Sequence, residues 1–266
     1  MQVTDTNVVA NVDTIKILNI DICNISKTNL LKQLTSGVLV TPNVDHLVKL
    51  QSDRNFYECY KNSDWIICDS KIVNLAAKFL GKSFYEVIPG SSLLPAFYNF
   101  HKNNKNIRLF LLGAGPGIAD IAKVNINNKV GWNMVVGAHS PSFGFEKNND
   151  ECEEIINIIN SSGANVLVVG VGAPKQEKWI MKYKERLKSI DLFMALGATI
   201  DFEAGTIKRA PQLLQTLHLE WLFRLSKEPG RLWKRYLVES LPFFNQIIKQ
   251  KYNTYKNPFA DEIKHS

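Results

Sequence analysis

Short apolar runs alternate with helically spaced stretches along most of the chain. Ile15 to Ile22 reads as a first strand, followed by a helix from about Ser26 to Thr35. Val38–Thr41 is a second strand that runs into Pro42-Asn43. Asn43 suits the cap of a helix over Val44 to Tyr60, where Leu47, Leu50 and Tyr57 keep helical spacing. Trp65–Cys68 is a short buried strand that delivers Asp69 and Ser70, and helices follow at Ile72–Leu80 and Leu93–Asn99. A strand at Ile107–Leu112 leads into Gly113-Ala-Gly-Pro-Gly117 and a helix. Met134–Gly137 is a strand and Asn149–Ile159 a helix. The run from Val166 to Val169, three valines and a leucine, has the composition of a strand buried on both faces. Its helix extends to Leu187, and a last strand at Leu192–Leu196 ends in Gly197-Ala-Thr199.

Strands alternating with helices predict an α/β fold: a doubly wound, mostly parallel, Rossmann-like sheet. Ligands of such sheets sit at the carboxyl ends of the strands. That rule places Thr41–Asn43, Asp69, Gly113–Gly117, Gly170–Gln176 and Gly197–Asp201 along one edge, while leaving the strand order open. The C-terminal part differs in kind. Gln212–Lys227 and Arg231–Lys251 read as two helices broken at Pro229-Gly230, with Trp221, Phe223, Trp233, Tyr236, Phe243 and Phe244 among basic residues. The expected division is an α/β domain over residues 1–207 and a basic, aromatic helical appendage over 208–266.

Charge sharpens this division. The net charge is +7. Between Lys208 and Lys256 ten Lys and Arg residues face three Glu, which accounts for all of it. A cationic segment of this kind points to an anionic partner such as a membrane, a nucleic acid or a phosphate-bearing substrate. The four cysteines are scattered without a C-x-x-C pair, which suits a reducing compartment and offers no zinc site. Met1 to Asp13 is polar with only acidic charges, unlike a secretory or transit peptide. No apolar run reaches the ~18–20 residues of a membrane span, so a soluble or peripheral protein is expected.

Candidate chemistry collects at the strand exits. After the strand at Val166, Gly170 and Gly172 permit a sharp turn and a close approach of backbone to a ligand. Pro174 suits the first helical position, and Lys175, Gln176 and Glu177 fall in the first turn. Unpaired N–H groups and a positive dipole end there favour an anion, most often phosphate. A plain β-to-α turn would look much the same. Asp69 is placed either to act as a general base or, more commonly at such a junction, to cap the next helix. Thr41 and Asn43 read as a strand exit and an N-cap. Gly113-Ala-Gly-Pro-Gly117 lacks the third glycine of a dinucleotide turn, and the next strand ends in Gly137-Ala-His139 without the ribose-binding acid. Asp201-Phe-Glu203 is one methylene away from a D-x-D metal clamp, and otherwise reads as a polar helix start.

The string Gly170-Val-Gly-Ala-Pro-Lys-Gln-Glu-Lys-Trp179 resembles the signature of the WecG/TagA/CpsF glycosyltransferases (glycosyltransferase family 26), and so, in order, do other segments. Thr41-Pro-Asn43 resembles the family's Thr-Pro-Asn motif, Leu111-Leu-Gly113-Ala114 its Leu-Leu-Gly-Ala region, and Leu219–Lys234 its C-terminal tail. The likeness runs from Ile15 to about Phe244. It implies that Asp69, in a Cys-Asp-Ser context where the family carries Pro-Asp-Gly, is the catalytic base. Thr41 and Asn43 would line the sugar and acceptor side. Gly113, Ala114, Gly172, Pro174, Lys175, Gln176, Glu177 and Asp201 would hold the nucleotide. Arg224 and Arg231, with Lys234, would fold over the pocket and engage diphosphate. Glu86-Val-Ile-Pro-Gly90-Ser-Ser-Leu93 departs from the family's Glu-Arg-Val-Thr-Gly-Ser-Asp-Leu, with Val87 and Ser92 where Arg and Asp are common.

What the resemblance implies is an inverting glycosyltransferase that uses neither a metal nor another cofactor. It would move a hexose or N-acetylhexosamine, N-acetylmannosamine named first, from a UDP-sugar to a polyprenyl-diphosphate-linked saccharide in bacterial surface polysaccharide synthesis. Partners would be the UDP-sugar donor, the lipid-diphosphate-linked acceptor and an anionic membrane surface, with the enzyme cytoplasmic and peripheral on the inner face. A homo-oligomer is compatible with the sequence. An NAD(P)-dependent oxidoreductase is the alternative, weakened by the missing acid. Nucleic-acid binding by the tail is disfavoured because no RNA-binding motif accompanies it.

Overall fold

A computed structural model describes residues 12–207, 230 and 240–260. Its centre is a six-stranded parallel sheet of β3 (Gly37–Val40), β4 (Trp65–Ile66), β5 (Leu109–Gly113), β6 (Val135–His139), β7 (Val166–Gly170) and β8 (Leu192–Ala195), in the order β4-β3-β8-β7-β5-β6. Strands β5, β7 and β8 are buried at every position, as strands covered on both faces must be. Alternate side chains feed two cores. Phe110, Leu112, Leu167, Val169 and Phe193 point to one face. Leu109, Leu111, Val166, Val168 and Met194 point to the other.

Two helical layers close these cores. On the first face lie α2 (Val44–Lys49), α3 (Arg54–Lys61), α4 (Lys71–Phe79), α7 (Asn149–Ser161) and α8 (Lys175–Tyr183). On the second lie α1 (Lys27–Gln33), α5 (Gly90–Phe100), α6 (Ile118–Val130) and α9 (Thr199–Ala204). The doubly wound α/β expectation is what the chain adopts.

Three local readings need correction. Ile15 to Ile22 is not one strand of the main sheet. It is an antiparallel hairpin, β1 (Thr14–Ile17) and β2 (Ile20–Cys23), turned at Leu18 with φ of 54°. The expected long helix from Val44 to Tyr60 is two, because Asp53 caps a new helix by accepting the Phe56 N–H at 3.0 Å. Pro174 stands at the N-cap of α8 rather than at its first helical position.

The last described stretch of the chain packs on the α/β body. Helix α10 (Leu241–Lys251) buries Phe243 and Ile247 in the first-face core. Gln250 accepts from the Leu18 N–H at 2.8 Å and donates to Lys16 O at 3.0 Å, tying α10 to the hairpin. The Tyr255 hydroxyl donates to Gln51, and the Phe259 ring packs against Tyr57. Residues 240–260 are therefore in packing and hydrogen-bond contact with the α/β body. The expected helix Gln212–Lys227 and the first part of Arg231–Lys251 lie outside the described residues.

Candidate active site

Because all six strands are parallel, Thr41, Asp69, Gly113, Gly170 and Gly197 sit at one edge. The strand order adds what sequence could not supply. The chain leaves β5 outward to β6 and leaves β7 in the opposite direction to β8, although β5 and β7 are neighbours. The two connections run in opposite directions, which makes this the topological switch point, the place where doubly wound sheets bind ligands. Asp69 lies three strands from β7, roughly 14 Å at the usual strand spacing.

The glycines of this edge pack against one another. A Cβ on Gly113 would meet Gly170 O at 2.5 Å, and one on Gly170 would meet Gly197 O at 2.6 Å. The turns after β5, β7 and β8 are thus in backbone contact. Gly170 is required by the neighbouring turn, which leaves no room for a side chain there. Gly172 has a φ of +84° with open space around it, so it serves the turn itself. Ala114 adopts a φ of 62° and donates its N–H to Gly170 O at 3.3 Å. A non-glycine residue held in the left-handed region stores about 1–3 kcal/mol, and such residues cluster at functional sites.

Asp69 follows β4 and is half-buried. Its Oδ1 accepts the Gly90 N–H at 2.9 Å, so the first residue of α5 orients the carboxylate. The N-cap of α4 is Ser70, which makes no side-chain cap bond. Asp69 is therefore not the helix cap that its position suggested. The Ile88 N–H donates to Cys68 O at 2.8 Å, which draws the Glu86–Gly90 segment alongside the carboxylate. Gly90 went unrecognised as a partner of Asp69. Its place after Pro89 at a helix start was the available signal.

Thr41 is buried beside Gly90 and Leu196, with its hydroxyl 3.5 Å from Ala195 O. Asn43 caps α2 by accepting the His46 N–H at 3.2 Å, leaving its Nδ2 group without a partner among the described residues. Behind it, His46 Nδ1 is 2.8 Å from the Tyr60 hydroxyl, both groups buried.

Gln176 and Glu177 are both buried. Gln176 Oε1 accepts from the Gly172 and Gly197 N–H groups, each at 3.2 Å, and its Nε2 donates to Glu177 Oε1 at 2.9 Å. Among the described residues Glu177 thus reaches the edge through Gln176, and burial pushes its carboxyl up to about 7. Lys175 is half-buried, its Nζ 5.0 Å from the centre of the exposed Phe143 ring. A groove of about 310 Å³ runs along the outer flank of α8, lined by Glu146, Lys178, Trp179 and Lys182. It shares only Pro174 and Lys175 with the strand edge.

Asp201, in the first turn of α9, is half-buried, and burial raises its carboxyl above the usual range. Glu203 points elsewhere, bonded to Lys129 at 2.6 Å and to the Tyr98 hydroxyl at 3.2 Å. The two carboxylates do not converge as a D-x-D pair would. Among the described residues no group of three or more His, Cys, Asp or Glu side chains is gathered as metal ligands would be. Arg224, Arg231 and Lys234 lie outside the described residues.

What the edge offers is therefore a set of glycine turns and helix starts, in backbone contact at the exits of β5, β7 and β8. An oriented carboxylate stands at the exit of β4, with Thr41 and Asn43 between them. Over residues 15–257 the chain matches the model of one family, described as "Glycosyl transferase WecG/TagA/CpsF family". On that match, which covers nearly the whole chain and agrees with the fold, the protein belongs to the WecG/TagA/CpsF family of glycosyltransferases.

Proposed function

We propose that the protein is an inverting, metal-independent transferase. It would move a hexose or N-acetylhexosamine from a UDP-sugar to a polyprenyl-diphosphate-linked saccharide during surface polysaccharide synthesis. The family implies a sugar-nucleotide donor and a lipid-linked acceptor. In this reading the nucleotide occupies the switch point, across the Gly113–Ala114 and Gly172–Lys175 turns, with Asp201 near the nucleoside. The sugar extends toward Thr41 and Asn43. Asp69 takes the proton of an acceptor hydroxyl as that oxygen bonds to the anomeric carbon. The bond from that carbon to the UDP oxygen breaks, and UDP leaves with the electron pair. The helix start at Lys175, the Lys175 ammonium, and Arg224, Arg231 and Lys234 offset the diphosphate charge. N-acetylmannosamine is the first sugar to test.

The observation that supports this reading is the hydrogen bond from Gly90 to Asp69, which holds a carboxylate at the same edge as the Gly113, Gly170 and Gly197 turns. Asp69→Asn keeps the acceptor oxygen for Gly90 and removes the base. Turnover should fall by about 10²–10⁴-fold, the usual contribution of a general base. UDP affinity, read by calorimetry, should stay within a few-fold. Full activity in this variant, or UDP affinity lost together with turnover, would rule out the assignment.

A peripheral membrane position is the second part of the proposal. No helix among the described residues is long and apolar enough to cross a membrane. Leu241, Phe244, Ile248 and Tyr252 are exposed along one side of α10, with Lys249 and Lys251 in its last turn. An apolar stripe next to lysines suits an anionic bilayer surface, where each cation contributes about 1 kcal/mol.

A further inference from the structure

The buried pair behind the Gly172 and Gly197 turns has a geometry that a plain helix start does not need. The Gly172 and Gly197 N–H groups can only donate, so whatever side-chain atom faces both must accept. Gln176 meets that demand with its amide oxygen. A glutamine amide can flip, however, and flipping would set its NH₂ group against two donors. Glu177 Oε1 removes that freedom by accepting from Gln176 Nε2 at 2.9 Å. Gln176 in turn spans the β7 and β8 exits, since Gly172 precedes α8 and Gly197 precedes α9.

The arrangement is costly to the fold. Glu177 is fully buried, and its Oε2 has no hydrogen-bond partner among the described residues. A buried polar atom without a partner destabilises, and a leucine would fill similar space without that cost. Around the carboxyl, α3 supplies Cys59 and the Tyr60 hydroxyl, which His46 of α2 contacts in turn, and α2 supplies Lys49. Each lies behind the edge rather than on it. Glu177 is thus an acceptor that costs stability and is directed at a single neighbour.

We propose that Glu177 is a positioning residue for the donor pocket. By holding the Gln176 amide in one orientation, it clamps the Gly172 and Gly197 turns at the separation that nucleotide binding requires. This rests on the reading that the nucleotide lies across those turns, and it assigns Glu177 no contact with the substrate.

The test compares Glu177→Leu and Glu177→Gln with the wild-type protein by UDP calorimetry, thermal unfolding and donor kinetics. Glu177→Leu is expected to unfold at or above the wild-type temperature, yet to bind UDP about tenfold more weakly, as for loss of about 1.4 kcal/mol. The donor KM should rise more than kcat falls. Glu177→Gln keeps an acceptor for Gln176 Nε2 and should recover most of that affinity. A merely structural role predicts the opposite pairing, a lower unfolding temperature with unchanged KM. Folded Glu177→Leu with wild-type affinity overturns the proposal, and so does Glu177→Gln binding as weakly as Glu177→Leu. Amide hydrogen exchange gives a reading that needs neither UDP nor a folded leucine variant. In the wild-type protein the Gly172 and Gly197 N–H groups should be protected, and rapid exchange at both would mean that the clamp is not closed. Should wild-type protein fail to bind UDP while both amides are protected, the donor reading falls and the clamp stands.

Discussion

A single carboxyl shows how much one residue's surroundings decide. Glu177 would titrate near 4.5 in an unfolded chain, and burial raises it to about 7 in the fold. The folded state therefore binds more protons than the unfolded state between those values. Stability from this group is fully present below about 4.5 and is lost as pH rises through about 7. Glu177→Gln removes the titration. The difference in unfolding temperature between this variant and wild type should widen from pH 4.5 to 7 and level off above. A constant offset across that range would mean that the carboxyl is not shielded as the structure shows. Nothing about Glu177 in the sequence announces this, because a glutamate in a first helical turn ordinarily faces solvent near the dipole. Its burial follows from where α3 packs on α8.

At the scale of elements, most strands and helices were legible because period and composition are local properties. Val166–Gly170 reads as a buried strand from its side chains alone, and it is one. The misreadings have equally local causes. Asp53 interrupts a helical apolar pattern that runs straight through it, since capping depends on one side chain and leaves the period intact. Ile15 to Ile22 contains a hairpin whose turn uses Leu18 at positive φ rather than a glycine or asparagine. Gly170 reads in the sequence as a turn residue, and the contact that excludes a side chain there, with Gly197 O, comes from a sequence-distant turn. Gly170→Ala should therefore destabilise the fold by roughly 1–3 kcal/mol, as overpacking against an immovable backbone oxygen does. Chemical denaturation would measure it. An unchanged midpoint would show that the β7 and β8 exits are farther apart than 2.6 Å of clearance allows.

For the whole molecule, the placement of α10 changes how the tail can be studied. Phe243 and Ile247 are buried against the sheet's first-face core, so a chain cut after Ile207 would lose core packing along with any membrane contact. Substitution of the exposed stripe separates the two. Phe244→Ser with Ile248→Ser should reduce sedimentation with anionic liposomes several-fold while moving the unfolding temperature little, because both side chains are about half exposed. Retained binding would place the membrane contact elsewhere on the protein.

The sequence by itself determined the α/β class, the approximate elements, the basic C-terminal segment and the set of residues at the carboxyl ends of the strands. These depend on periodicity, composition and the rule that parallel strands share an end, all of which are written along the chain. Only the tertiary structure decided the strand order, hence the switch point between β5 and β7. It also decided the pairing of Gly90 with Asp69 and the burial of Glu177 behind Gln176. Each of these is a contact between residues far apart in the chain or on separate elements. Its geometry exists only once the helices have packed onto both faces of the sheet.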